Sequence, residues 1–175
     1  MALAKGDYII LAEKIVEALK ADTDQGGLCE LGNPAVKTIE PKIRRESKLY
    51  SKYELPLIGI EVVRKKELPS PNAKVFDKVF EVEFLILCRG GDREAEAERA
   101  KKIAHRLEKV LIEQNQAQKQ FSGLAREVAD AQGVIFVQLK ETRFESKFFE
   151  EGTGKKPEVS ALVRADLIIP CSRSF

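Results

Sequence analysis

With 175 residues, 43% of them hydrophobic and 33% charged, the chain can bury a core and solvate its surface, which excludes a low-complexity polymer and predicts one globular domain over residues 1–175. A net charge of +2 excludes a global drive toward nucleic acid or a membrane, though not a local basic patch, and no stretch reaches the ~20 apolar residues of a membrane span. Cys29, Cys88 and Cys171 are odd in number and never form a C-x-x-C pair, which argues against a disulfide framework or structural zinc and predicts reduced thiols in a reducing compartment.

Asp7, a plausible N-cap, opens a helix that runs to about Ala21, with Tyr8, Leu11, Ala12, Ile15, Ala18 and Leu19 as its apolar stripe and Ile10 on the opposite side. Residues 22–34, with Gly26-Gly27 and Asn33-Pro34, read as a loop. A poorly patterned stretch follows, with a short strand near residues 37–43 and a basic run of Lys42, Arg44, Arg45, Lys48 and Lys52. Residues 55–63 predict a strand, and Pro69, Pro71 and Asn72 turn residues 64–74 into an extended loop. Residues 75–88 give the clearest strand: Phe80, Val82, Phe84, Ile86 and Cys88 face one way, Glu81 and Glu83 the other. Leu85 and Leu87 then make the second face apolar for part of its length.

From Asp92 to about Gln114 a long helix buries Ala97, Ala100, Ile103, Ala104, Leu107, Val110 and Leu111, with acids early and bases late to suit its dipole. Leu124, Ala125, Val128 and Ala129 suggest a short helix stopped at Gly133. A strand from Val134 changes phase between Leu139 and Thr142, so a bulge is expected near Lys140–Glu141. Residues 150–157 read as a turn, and residues 159–171 alternate cleanly as the last strand. These elements predict an α+β domain: an antiparallel or mixed sheet of about four strands, with two main helices on one face.

Little of the chemistry points to catalysis, and no catalytic, cofactor-binding or metal-binding residue is assigned. His105 is the single histidine and falls away from the buried stripe of its helix, toward solvent. Glu81 and Glu83 stand ~7 Å apart on one strand face, where a solvated surface is the commoner reading than a hydrolytic pair. Glu145-Ser146-Lys147 with Asp130 upstream has the residue types of a metal-dependent nuclease, but Asp130 lies in a helical stretch. Neither Gly90-Gly91 nor Gly152-x-Gly154-Lys155 has the spacing of a phosphate loop. Two basic stretches, Lys42–Lys52 with Tyr50 and Tyr53, and Arg64-Lys65-Lys66, could contact phosphates and stack bases, or merely keep loops soluble and guard an edge.

An amphipathic helix leads into Leu55-Pro56-Leu57-Ile58-Gly59-Ile60, then a Pro-bearing loop and the strand Val79-Phe80-Glu81-Val82-Glu83-Phe84-Leu85-Ile86-Leu87. A glycine break, the helix opening Asp92-Arg93-Glu94-Ala95-Glu96-Ala97-Glu98-Arg99-Ala100 and a final strand pair follow. Over residues 7–171 this order resembles the tail terminator and tail completion (minor tail or neck) proteins of long-tailed bacteriophages and prophages. The resemblance implies a structural, non-enzymatic protein without cofactors. Such a protein is a homo-oligomeric ring, typically a hexamer, that caps the tail tube and faces the head connector. It would assemble in the bacterial host cytoplasm and remain in the virion. By position, the contact regions would be the 64–74 loop, with Arg64, Lys65, Lys66, Pro69, Pro71 and Lys74, and the 150–157 turn, with Glu151, Lys155 and Lys156. The long basic 42–53 segment departs from typical members. The alternatives are a nucleic-acid-binding module using residues 42–66 and, below it, a small metal-dependent hydrolase or nuclease acting through Glu145.

Overall fold

The alternating run at residues 75–88 becomes the central strand of the sheet. The computed structural model describes residues 5–44, 46, 50–151 and 154–173; Arg45, Lys48 and Gly152 lie outside them. In chain order the elements are α1 (Asp7–Lys20), β1 (Thr38–Glu40), β2 (Leu57–Pro69), β3 (Val75–Arg89), α2 (Arg93–Glu113), a short turn α3 (Gln120–Gly123), a 3-10 turn (Leu124–Arg126), β4 (Phe136–Glu151) and β5 (Gly154–Ser172). The strands form one sheet in the order β1-β2-β3-β5-β4. β1 runs parallel to β2 and every other pairing is antiparallel. The sheet therefore has five strands, not about four, because residues 38–40 pair with residues 57–59 as a short extra strand.

Phe76, Phe80, Val82, Phe84, Ile86 and Cys88 of β3 join Val159, Ala161, Val163, Ala165, Leu167, Ile169 and Cys171 of β5 in one buried face. α1 and α2 close over it with Leu11, Ile15, Leu19, Ala100, Ile103, Ala104, Leu107 and Leu111. Each large side chain fully withdrawn from water here contributes ~1.5–3 kcal/mol. Asp92 caps α2, its carboxylate accepting the Glu94 N–H. At α1 the cap is Gly6, and Asp7 is instead the first helical residue. Its carboxylate lies 3.6 Å from Lys65 Nζ and 3.5 Å from the buried Lys78 Nζ, which ties the helix start to the sheet. Of the expected α1 stripe, Leu11, Ala12, Ile15 and Leu19 are buried and Ala18 packs against the core; Val16 and Ile10 widen it, and Tyr8 is half-exposed.

The opposite face of the sheet is covered only in part. Tyr50, Leu55, Leu57 and Leu87 form a second small core there, which accounts for the apolar second face of β3. Tyr50 is 2% exposed. Gly59 lets this covering segment approach, since a Cβ at that position would stand 2.6 Å from the Lys42 carbonyl oxygen.

Three boundaries differ from expectation. Residues 64–69 continue β2, because the bulge between Val62 and Arg64 preserves pairing with β3 as far as Pro69 opposite Phe76. The loop shrinks to residues 70–74. β4 and β5 likewise reach Glu151 and Gly154, so the expected 150–157 turn is mostly strand. The helix expected over residues 124–129 is only a 3-10 turn, preceded by Phe121 and Ser122 at φ 48 and 54. The Phe121 N–H donates to Gln114 Oε1 at 2.8 Å, and the Gln120 side chain bonds both the carbonyl and the N–H of Ile135. These bonds hold the left-handed turn that seats Phe121 in the core. The bulge expected near Lys140–Glu141 is present, as a register shift between Leu139 and Glu141. Among the described residues no helix is long and apolar enough to cross a membrane.

Candidate interaction edges and hairpin tips

Strand order decides which backbone is left open. β1 covers β2 only at residues 57–59, so the rest of β2 presents an outer edge. β4 is the other outermost strand; at its start the Asn115 side chain accepts the Val137 N–H and donates to the Val137 carbonyl, and beyond that point, among the described residues, no strand covers the edge. Unpaired N–H and C=O groups on such edges are templates for another strand. β4 adds exposed aromatic side chains: Phe136 and Phe144 are half-exposed, and Phe148 is 64% exposed. The bulge before Glu141 explains their placement, because it turns Phe144 and Phe148 to the helix-side face, opposite Ala161 and Pro157, beyond the reach of full burial.

The residues singled out from sequence fall into two groups at opposite ends of the sheet. Lys74 lies at the tip joining β2 to β3, beside the end of β5, where its carbonyl accepts the Arg173 N–H at 2.9 Å. Pro71 is in the same tip and Pro69 closes β2. Glu151, Lys155 and Lys156 belong to the β4–β5 hairpin, which extends past the β3 end at Arg89. Fifteen residues of β3 separate the ends by ~50 Å of strand. The two candidate contact regions cannot form one patch on one copy.

Strand alternation divides Arg64-Lys65-Lys66 between faces. Lys65 reaches the helix side, toward Asp7 and over the Phe80 ring at 5.8 Å. Arg64 and Lys66 reach the open face, each 3.8 Å from Glu81. Around them the open face carries alternating charge. Arg164 bonds Glu83 at 2.9 Å and lies 3.3 Å from Glu141, Lys140 lies 3.3 Å from Asp166, and Arg143 also bonds Glu141. The Arg143 hydrogen bond is the main reason that the Glu141 carboxyl sits below its ordinary value. Glu81 and Glu83 are thus parts of an ion-pair ladder.

Part of the basic 42–53 segment is similarly engaged. Arg44 donates to Glu54 at 2.8 Å and Glu40 at 3.1 Å, and its guanidinium lies 4.7 Å from the centre of the Tyr50 ring. The Tyr50 hydroxyl accepts the Arg44 N–H at 2.7 Å, and burial raises its pKa. Tyr50 is a core residue and unsuited to stacking on a base; Tyr53 is exposed, with Lys52 Nζ 5.2 Å from its ring centre.

The nuclease-like constellation does not assemble. Asp130 adjoins Ser172, whereas Glu145 pairs with Ser160, leaving ~40 Å of strand between them. His105 is exposed on α2, as its helical phase predicts. Among the described residues no group of three or more His, Cys, Asp or Glu is placed to hold a metal ion. Cys88 and Cys171 are buried, Cys29 is half-buried, and all three are free thiols. The exposed aromatics of β4 had a sequence signal, the phase change at Lys140, but their exposure depends on where α2 ends over the sheet. Comparison with protein-family models and with curated protein sequences gives no match.

Proposed function

We propose that this chain is a structural ring subunit of a long-tailed bacteriophage or prophage tail, of the tail terminator or tail completion type. A ring of about six copies would cap the tail tube and meet the head connector. The observation that carries the reading is the pair of open edges on one sheet, β2 beyond residue 59 and β4 beyond Val137. Two different edges on one subunit are what a head-to-tail contact requires, and such contacts close into a ring when the rotation between neighbours divides a full turn. The exposed Phe144 and Phe148 give the β4 side an apolar anchor. Hairpin tips at opposite ends of the sheet suit a subunit that meets one partner below the ring and another above it. The order helix, strand, strand, helix, strand pair supports the reading, with the Pro-bearing loop shortened to residues 70–74.

Zero-length carboxylate–amine cross-linking with peptide mapping tests the contact. Within one chain β2 and β4 are three strands apart, ~14 Å, too far for a zero-length link. The expected result is links from Lys65 or Lys66 to Glu141 or Glu145, in a band series that ends near six protomers. Links confined to single chains at every protein concentration would overturn the proposal.

A further inference from the structure

A cleft of about 620 Å³ opens between the loop after α1, the segment before β2, the end of β3 and the middle of α2. Its wall carries Lys37, Lys52, Arg89, Arg99, Lys102 and Arg106, against the single carboxylate of Glu30. Arg99, Lys102 and Arg106 follow one another at helical spacing and cover ~10 Å of the α2 axis. Loop folding brings Lys37 and Lys52 to face them. Glu30 is itself held in the wall, accepting the Gly26 N–H at 3.0 Å.

The cations are of two kinds. Arg89 and Arg106 are fixed in place by Glu158 and Asp22, through hydrogen bonds of 2.7 Å and 2.8 Å. Arg99 and Lys102 make short-range pairs with Glu96 and Glu98 on their own helix, and Lys102 is 75% exposed. The Lys102–Glu98 pair, exposed on both sides, is screened by solvent and exchanges readily for a better acceptor, whereas Arg99 holds the buried Glu96. Among the described residues no carboxylate comes within ion-pair distance of Lys37 or Lys52. Other cavities differ in this respect. A second of about 620 Å³ mixes Asp22, Asp24 and Glu113 with Arg106 and Lys119. The one on the open sheet face, about 450 Å³, balances Lys66, Lys140 and Arg164 with four acids.

We infer that this cleft binds a phosphate-ester anion. Its volume falls in the range of small-ligand sites. Its donors come from four separate segments, and two arginines are held in position before any ligand arrives. The same chemistry is offered by a free phosphorylated small molecule and by a nucleic-acid backbone, and the assignment does not depend on ring formation.

The test uses the whole protein, with inorganic pyrophosphate followed by calorimetry and a labelled oligothymidylate followed by fluorescence anisotropy, at ~20 mM salt and upward. Lys37→Gln/Lys102→Gln alters two exposed side chains of the cleft; Lys65→Gln/Lys66→Gln alters two lysines of β2, outside it. The expected result is saturable binding of at least one probe, weakened about tenfold or more by the first variant and little changed by the second. Binding of pyrophosphate points to a small phosphorylated ligand. Binding of oligothymidylate alone, with a salt slope reduced by ~0.7 for each lysine removed, points to a nucleic-acid backbone. No binding of either probe tighter than ~1 mM, or equal loss in both variants, would overturn the assignment.

Discussion

Glu158→Ala should be among the most damaging single substitutions in this fold, and the reason lies in what it strands. The Arg89 and Glu158 side chains are 3% and 0% exposed, with Arg89 Nη2 2.7 Å and Nε 3.0 Å from the same carboxylate oxygen. Lys147 Nζ stands 3.2 Å from the other oxygen. The pair sits where the β4–β5 hairpin leaves β3, and Arg89 also donates to the Tyr50 carbonyl at 3.3 Å, joining the hairpin to the segment that covers the open face. Truncating one partner of a buried pair costs about 3–5 kcal/mol, because the remaining charge has lost both water and its counter-ion. For a chain of this size that lowers the Tm by about 6–20 °C. Urea unfolding of wild type, Glu158→Ala, Arg89→Leu and Arg89→Leu/Glu158→Ala forms the assay. The double variant should be destabilised by at least ~2 kcal/mol less than the sum of the single costs, since no charge is left buried alone. A cost below ~1 kcal/mol for Glu158→Ala, or a double variant that costs the full sum, would refute the reasoning.

Gly59→Ala brings a Cβ to 2.6 Å from the Lys42 carbonyl oxygen, an overpacking of about 1–3 kcal/mol; calorimetry should show a lowered Tm, and an unchanged one contradicts the close approach. Burial pushes the Cys88 thiol up to about 12, so near pH 8 only about one molecule in ten thousand carries the thiolate. Native alkylation should therefore reach Cys29 first, and mass mapping that finds Cys88 modified before unfolding counts against the core assignment. At Asp22 burial opposes the charge, but hydrogen bonds from Arg106 and the Leu28 N–H outweigh it and hold the carboxyl below its ordinary 3.8. Because the folded value is the lower one, this stabilisation is present above 3.8 and disappears as pH falls through the folded value. Urea midpoints of wild type and Asp22→Asn should therefore differ at neutral pH and converge in acid. A gap independent of pH would show that the ion pair contributes nothing.

Much of the scaffold is legible in the chain because its signals are periodic. The two-residue alternation of β3 and β5 and the stripe of α2 predict their buried residues, and the phase change at Lys140 predicts the β4 bulge. The misreadings occur where tertiary contacts outweigh local rules. Pro69 marks a strand end, yet β2 runs up to it because an edge strand tolerates a missing donor there. The basic run around Arg44 suggests a nucleic-acid surface, but Glu40 and Glu54 engage that arginine from outside the run. The phosphate cleft was hidden for a related reason. Lys37, Lys52 and the α2 cations are far apart in sequence, and only the folding of the 22–37 loop against α2 brings them together.

The ring is the central claim, and molar mass in solution addresses it most directly. Light scattering behind a sizing column, across a concentration series and at two salt levels, should give a mass near six times the 19.6 kDa of the chain. Phe148→Glu, which places a charge on the exposed β4 aromatic without touching the core, should return the protein to a folded single chain. A mass of one chain at every concentration, or a ring indifferent to Phe148→Glu and to any charge placed on the β2 edge, would contradict the account.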